Sequence, residues 1–193
     1  MKIDIILAGV GGQGILSIAT IIGYAALESG LYLKQAEVHG MSQRGGDVQS
    51  HLRISDIPIQ SDLIPEGNAD LILSVEPMEA LRYMPYLSEK GWLVTNSNPY
   101  VNIPDYPNKE DVYKEIKAIK NHVLIDADAE AKAIGSARSM NMVILGAASL
   151  QIELPFELLE KGIEYIFGRK GEKVVSKNIE AINLGRNLAK DYS

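Results

Sequence analysis

The sequence predicts an α/β fold: a mostly parallel sheet carrying one antiparallel hairpin, closed by a helical C-terminal third. Three observations predict it. Strand-like and helix-like segments alternate through the first two-thirds of the chain, and in one sheet that alternation means crossovers and parallel pairing. The 48–59 segment breaks the pattern with a turn, Asp56-Ile57-Pro58-Ile59, between two strand-like pieces. From Ala127 onward nearly every segment has helical periodicity. The 193 residues, 46% apolar and 23% charged, suit one domain spanning 1–193, with no linker, repeat or low-complexity run.

The elements follow in order. Residues 3–8 are apolar and β-branched apart from Asp4, as a strand buried on both faces requires. They break into Gly9-Val10-Gly11-Gly12-Gln13-Gly14, a tight turn. Ile15, Ile18, Ala19, Ile22, Ala25 and Ala26 then recur at helical spacing, and Gly30 stands where a C-terminal cap belongs. A second strand covers 31–38, and the polar, glycine-rich stretch His39–Gly46 is a loop. Val48, Ser50, Leu52 and Ile54 alternate with Gln49, His51 and Arg53, which predicts a half-exposed strand with a short return strand at Ile57–Ile59. Strands follow at Asp70–Val75, Gly91–Asn96 and His122–Asp126. Between them lie a short helix over 77–84 with Pro77 in its first turn, a three-proline loop over Asn98–Pro107 and an exposed helix over Lys109–Lys120. Helices over 127–134, 138–151, 155–167 and 172–190 complete the chain, covering one face or one end of the sheet.

Composition excludes several functions. With no cysteine, the chain itself can hold no disulfide, cysteine nucleophile, Cys–zinc site or Cys-ligated iron–sulfur cluster. Nineteen Lys and Arg against 25 Asp and Glu give a charge of −6, which disfavours nucleic-acid partners. Two Phe and one Trp leave little for base-stacking platforms. The N-terminal apolar run carries Asp4 and ends at Gly9, too short for a signal core or a membrane span, so a cytoplasmic protein with no membrane partner is expected. His39, His51 and His122 lack metal-ligand spacing. Neither a G-x-S-x-G elbow nor a phosphate loop ending in Gly-Lys-Ser/Thr is present. Asp126 and Asp128 read as caps of the following helix rather than a carboxylate pair. Asn141, inside an apolar helix, needs a partner: another element of this chain or a facing subunit.

Two segments carry chemistry. Gly9, Gly11 and Gly14 match G-x-G-x-x-G between a strand and a helix, the Rossmann-like arrangement in which backbone N–H groups approach a phosphate. Glu37, near the end of the second strand, stands where a ribose-binding acid is found. Gly12-Gln13 is unusual, because the Gln13 amide would project at the mouth of the sheet. The turn therefore has three readings: a dinucleotide site, a site for another phosphate-bearing ligand such as coenzyme A or a diphosphate held by a partner, or close packing alone. The second segment is the loop His39-Gly40-Met41-Ser42-Gln43-Arg44-Gly45-Gly46, which should converge with the first at the carboxyl edge of the sheet. Arg44 between flexible residues suits bidentate capture of a carboxylate or phosphate. His39 could serve as an acid or base or simply hydrogen-bond within the loop. The candidate binding residues are Gly9, Gly11, Gly12, Gln13 and Gly14 with Met41, Ser42, Gln43, Arg44, Gly45 and Gly46; no catalytic residue or metal ligand is assigned.

Three blocks together, Gly9–Ile15, Glu37–Gly46 and Val48–Ser55, resemble the gamma domain of the 2-oxoacid:ferredoxin oxidoreductases, and Asn141–Ala148 matches the family's later block. The form His39-Gly-Met-Ser-Gln-Arg-Gly-Gly46 is most similar to the family's indolepyruvate branch. The resemblance covers essentially the whole chain and implies the gamma-domain fold. It also implies an accessory subunit, inactive alone, of an enzyme that oxidatively decarboxylates an aryl 2-oxoacid such as indolepyruvate to an acyl-CoA. Thiamine diphosphate and iron–sulfur clusters would sit on a large partner subunit, with ferredoxin as acceptor and coenzyme A within reach of Gly11–Gly14 and Met41–Gly46. A stand-alone dinucleotide-binding oxidoreductase, or the gamma subunit for another 2-oxoacid (pyruvate, 2-oxoglutarate, 2-oxoisovalerate), is the alternative.

Overall fold

The structure, a computed structural model, describes residues 1–39, 45–101 and 103–192, with His39 described through its backbone alone. Six strands form one sheet: β1 (Lys2–Val10), β2 (Tyr32–His39), β3 (Asp47–Ser55), β4 (Ala69–Ser74), β5 (Leu87–Asn96) and β6 (His122–Ile125), in the order β2-β3-β1-β4-β5-β6. β1, β4, β5 and β6 pair in parallel, while β3 runs antiparallel to both its neighbours, β1 and β2. The mixed α/β architecture is the expected one.

The hairpin, however, is β2–β3 rather than β3 with a return strand. Residues 56–60 form no strand. Both edges of β3 are taken by β1 and β2, so Ile57–Ile59 has no edge to pair with. For the same reason β3 is interior rather than half-exposed: Ser50, His51, Leu52 and Ile54 are all buried. Period-two alternation signals two different faces, and here helices and loops cover both.

Among the described residues there are seven α-helices: α1 (Ile15–Glu28), α2 (Pro77–Arg82), α3 (Lys109–Ala118), α4 (Ala127–Ala133), α5 (Met140–Ala148), α6 (Phe156–Phe167) and α7 (Glu172–Ala189), with α6 packed on α1 and α7 on α5. Alternate residues of β1 feed two cores. Ile3, Ile5 and Leu7 pack with residues of α1 and α4–α7. Ile6 and Ala8 pack with Ala80 of α2 and with Val112 and Ile116 of α3. The helical C-terminal third thus covers one face, as expected. Residues 141–148 of α5 are all buried, which explains a helix apolar all round.

Burial of β3 gives His51 a defined role. Its Nδ1 accepts the Ile64 N–H at 3.0 Å, and its ring meets Tyr86 edge-on at 5.3 Å. Burial, and then the Arg53 charge, lower its pKa below the ordinary imidazole value. Below that ordinary value the unfolded chain takes up a proton that the folded chain resists, so stability is lost as pH falls through this interval. The thermal midpoint should therefore drop between about pH 7 and pH 5, and His51→Gln should flatten that slope. Equal slopes in both proteins would assign the loss to other groups.

Candidate functional site

The chain leaves β1 toward β2 on one side of the sheet and reaches β4 on the other, so a switch point lies at the carboxyl ends of β1 and β4. Residues 9–14 occupy that point. Because β3 is reversed, its first residues reach the same edge. The Gly11 N–H donates to Gly46 O at 2.9 Å, and the Gly45 N–H to Gly11 O at 3.5 Å. The structure thus brings Gly9–Gly14 and Gly45–Gly46 together. Met41, Ser42, Gln43 and Arg44 lie outside the described residues, as does the side chain of His39.

The glycine turn is braced from three directions. A Cβ on Gly9 would come within 2.4 Å of Val75 Cγ2, so this position needs a bare backbone for strand contact. Gly14 has φ 86°, the left-handed region, and caps the N-terminus of α1. Its carbonyl accepts from Asn141 Nδ2 at 3.2 Å, so the buried amide of α5 finds its partner within this chain. Gln13 does not project at the mouth of the sheet. Its Oε1 accepts the Val10 N–H at 2.8 Å and its Nε2 donates to Val75 O at 3.5 Å, tying the ends of β1 and β4 together.

Two clefts flank this turn. One, of about 260 Å³, is lined by Gly11, Gly12, Gly14, Leu16, Glu37 and Val48. It places Glu37 opposite the glycines, where a ribose-binding acid would be, and Glu37 Oε2 accepts from Gln35 Nε2 at 3.4 Å. A dinucleotide site, however, turns the amides of the glycine loop toward the phosphates. Here the Gly11 N–H is bonded to Gly46 O and the Gln13 N–H to Val10 O at 3.1 Å. The turn is built more for linking loops than for cradling a diphosphate.

The other cleft, of about 220 Å³, is lined by Gly45, Gly46, Glu76, Arg82, Tyr100 and Tyr106 among others. Its acids and tyrosines are absent from the sequence-based candidates. Glu76, 1% exposed, follows β4 at the switch point. Its Oε2 accepts the Glu79 N–H at 2.7 Å and caps α2, while its Oε1 accepts from the Tyr100 N–H at 3.2 Å and from the Tyr106 hydroxyl. One buried carboxylate thus fixes the three-proline loop beside Gly46. Burial pushes the Glu79 carboxyl up, against the pull of Arg82 2.7 Å away. Burial and neighbouring carboxylates raise both the Tyr83 and Tyr106 hydroxyls far above the ordinary range, so both remain donors. The available signal was positional: Glu76-Pro77 is an acid at the carboxyl end of a strand.

Elsewhere the candidate carboxylates are structural. Asp126 Oδ1 caps α4 by accepting the Ala129 N–H at 2.9 Å, and Asp128 Oδ2 accepts from Asn96 Nδ2 at 2.8 Å. Among the described residues no group of three or more His, Cys, Asp or Glu could hold a metal ion, and no helix is long and apolar enough to cross a membrane.

Residues 4–188 match the family model described as pyruvate ferredoxin/flavodoxin oxidoreductase. The chain is 38% identical over 196 residues to the indolepyruvate oxidoreductase subunit IorB of Pyrococcus horikoshii, covering 97% of this chain and 96% of that one. Among solved structures it is similar to a keto/oxoacid ferredoxin oxidoreductase gamma subunit from Geobacter sulfurreducens, with a TM-score of 0.72, 26% identity and coverage of 98% and 99%. It is also similar to the 2-oxoglutarate:ferredoxin oxidoreductase of Magnetococcus marinus, with a TM-score of 0.79 and 25% identity. All of this chain is covered there but only 32% of that longer polypeptide, so the chain spans about a third of its length.

Proposed function

The chain belongs to the pyruvate ferredoxin/flavodoxin oxidoreductase family, and from that premise we propose its place in a larger enzyme. It is the small subunit of a 2-oxoacid:ferredoxin oxidoreductase, and its substrate is an aryl 2-oxoacid, indolepyruvate. The observation that carries this reading is the whole-length likeness to a subunit of that name. The His39–Gly46 form of the loop supports the same branch.

The overall reaction releases carbon dioxide from the 2-oxoacid and joins the remaining acyl group to coenzyme A, and ferredoxin removes the two electrons. Enzymes of this family use thiamine diphosphate and iron–sulfur clusters. The chain has no cysteine to ligate such a cluster, so the clusters and the thiamine diphosphate are proposed to reside on a large partner subunit. This chain supplies a stiff sheet edge. Gly11, Gly45 and Gly46 are stitched through their backbones, Gln13 and Asn141 brace the turn, and Glu76 holds the adjoining loop. That edge is proposed to meet the large subunit and coenzyme A, with Arg44 supplying a charge-assisted contact to a carboxylate or phosphate.

The test is reconstitution. The chain alone should not turn over indolepyruvate, whereas a mixture with the large subunit, coenzyme A and ferredoxin should. Turnover by the isolated chain, or none by the mixture, overturns the assignment. In the active complex Arg44→Ala should lower kcat/KM by about tenfold to a hundredfold, as expected for loss of a charge-assisted contact worth about 1.5–3 kcal/mol. An unchanged kcat/KM would make the second loop a packing element only.

A further inference from the structure

Between β5 and α3 the chain crosses the carboxyl edge of the sheet as the three-proline loop, Asn98–Pro107. Side chains from three elements fix its course. The Tyr113 hydroxyl of α3 donates to Ser97 O at 2.6 Å, and Asn96 Nδ2 of β5 donates to Asn98 O at 3.4 Å. Further along, the buried Glu76 carboxylate accepts from the Tyr100 N–H at 3.2 Å and from the Tyr106 hydroxyl. Pro99, Pro104 and Pro107 fix φ at three more points. What this support holds out into water is apolar. Tyr100, Val101 and Ile103 are 45%, 67% and 41% exposed, three side chains within four positions. Isolated exposed apolar residues are ordinary, whereas a cluster on a stiff support marks a contact surface. The stretch Ser97–Pro104 also has no charged residue, in a chain that is 23% charged. Depletion of charge together with aromatic anchors is the composition found at the centre of a protein–protein interface. Tyr100 and Ile103 line the cleft of about 220 Å³ that Gly45 and Gly46 also line, so the cluster is continuous with the stitched glycine edge.

We propose that Tyr100, Val101 and Ile103 are the apolar anchor by which this chain docks on its large partner subunit. The inference rests on the subunit reading above and assigns a surface to it. The large subunit is the occupant because the glycine edge beside the loop is the part of this chain that reading turns toward it. A two-fold contact between copies of this chain would cover the same edge. The partner must then offer an apolar recess free of unpaired charge, since a charge buried against these side chains would go uncompensated. The prolines and the Glu76 tether serve the docking step directly. A loop already held in one conformation loses little freedom when its tip is buried, so more of the apolar contact appears as affinity.

The test is the Kd between the full chain and the large subunit, measured by calorimetry. Val101→Ser combined with Ile103→Ser should weaken it by about tenfold or more. Both side chains are exposed, so the thermal midpoint of the free chain should move by no more than about 2 °C. Leu27→Ser is the control: Leu27 is 61% exposed near the end of α1, at the opposite edge of the sheet, and the Kd should not change. Hydrogen exchange supplies a readout without substitution, since peptides spanning 98–107 should exchange more slowly in the complex than in the free chain. An unchanged Kd for the double variant, or equal exchange free and bound, overturns the docking surface and leaves the subunit reading standing. A loss of affinity that Leu27→Ser reproduces overturns it too, as does self-association of the chain alone that the double variant abolishes. If the unaltered chain does not associate with the large subunit at all, the subunit reading falls and the docking surface with it.

Discussion

Gly185→Ala is expected to destabilise the protein by about 3 kcal/mol or more, lowering its thermal midpoint by about 6–12 °C. α5 and α7 cross backbone against backbone at Gly146 and Gly185. A Cβ on Gly185 would lie 1.9 Å from Val143 O and 3.0 Å from Ala147 N, and one on Gly146 would lie 2.0 Å from Ile182 O. These obstacles are main-chain atoms of the facing helix, so no rotamer change relieves them and the helices must separate. Separation opens voids around Val143, Ala147, Ala181 and Ile182, all fully buried, and lost contacts add to the strain. Gly146→Ala should have a similar effect. The double variant should cost clearly less than the sum of the two, because the separation forced by one methyl also admits the other. Calorimetric melting of the three variants checks this. A shift below about 2 °C for Gly185→Ala, equivalent to roughly 1 kcal/mol or less, would mean that the crossing yields easily.

Asp4→Ala should cost about 3–5 kcal/mol, the range found when one partner of a buried ion pair is removed. Asp4 is 1% exposed, and its carboxylate accepts from Arg53 Nε at 2.8 Å and Nη2 at 3.1 Å and from Lys2 Nζ at 2.8 Å. The Arg53 side chain is only 15% exposed, and its Nη1 also holds Ser61 O at 3.1 Å and Leu63 O at 3.0 Å. Losing Asp4 therefore strands a guanidinium with little water around it and loosens the 61–63 turn as well. Asp4→Asn, which keeps an acceptor and loses the charge, should fall between wild type and Asp4→Ala in urea midpoint. Combining Asp4→Leu with Arg53→Met should recover part of the loss, since an apolar pair has no stranded charge. A double variant as unstable as the sum of its singles would mean that the two side chains are not energetically coupled.

Much of this architecture is legible in local pattern. Ile15, Ile18, Ala19, Ile22, Ala25 and Ala26 at helical spacing place α1 to within a residue, and Pro77 marks the first turn of α2. Such signals are local because a helix completes its backbone hydrogen bonds within its own segment. β3 was placed correctly in sequence but not in space. Its alternation of Leu52 and Ile54 with His51 and Arg53 describes two faces, and no residue of the strand records that its partners are β1 and β2. Ile57–Ile59 failed as a strand for that reason alone. At the site, the glycines were legible because only a bare backbone allows the left-handed Gly14 or the approach of Gly9 to Val75. Glu76 was not legible as a site residue, since its contacts to Tyr100 and Tyr106 span 24 and 30 residues. Gln13, a polar amide among glycines at the end of a strand, looks outward-facing in sequence, yet the carbonyl that receives its amide belongs to Val75, 62 residues away.

The sequence by itself determined the α/β class, the place of the glycine turn, the absence of cysteine and hence of Cys-ligated clusters on this chain, and the family. Those properties reside in composition, in short-range periodicity, or in residue types that only one backbone geometry accepts. Tertiary structure alone decided which strands pair, that Gly11 and Gly46 bond through their backbones, that Asn141 braces Gly14, and that Glu76 holds Tyr100 and Tyr106. Each of these joins residues far apart in the chain. Such contacts form only once the packing of two cores has met the entropy cost of closing the long loops between them.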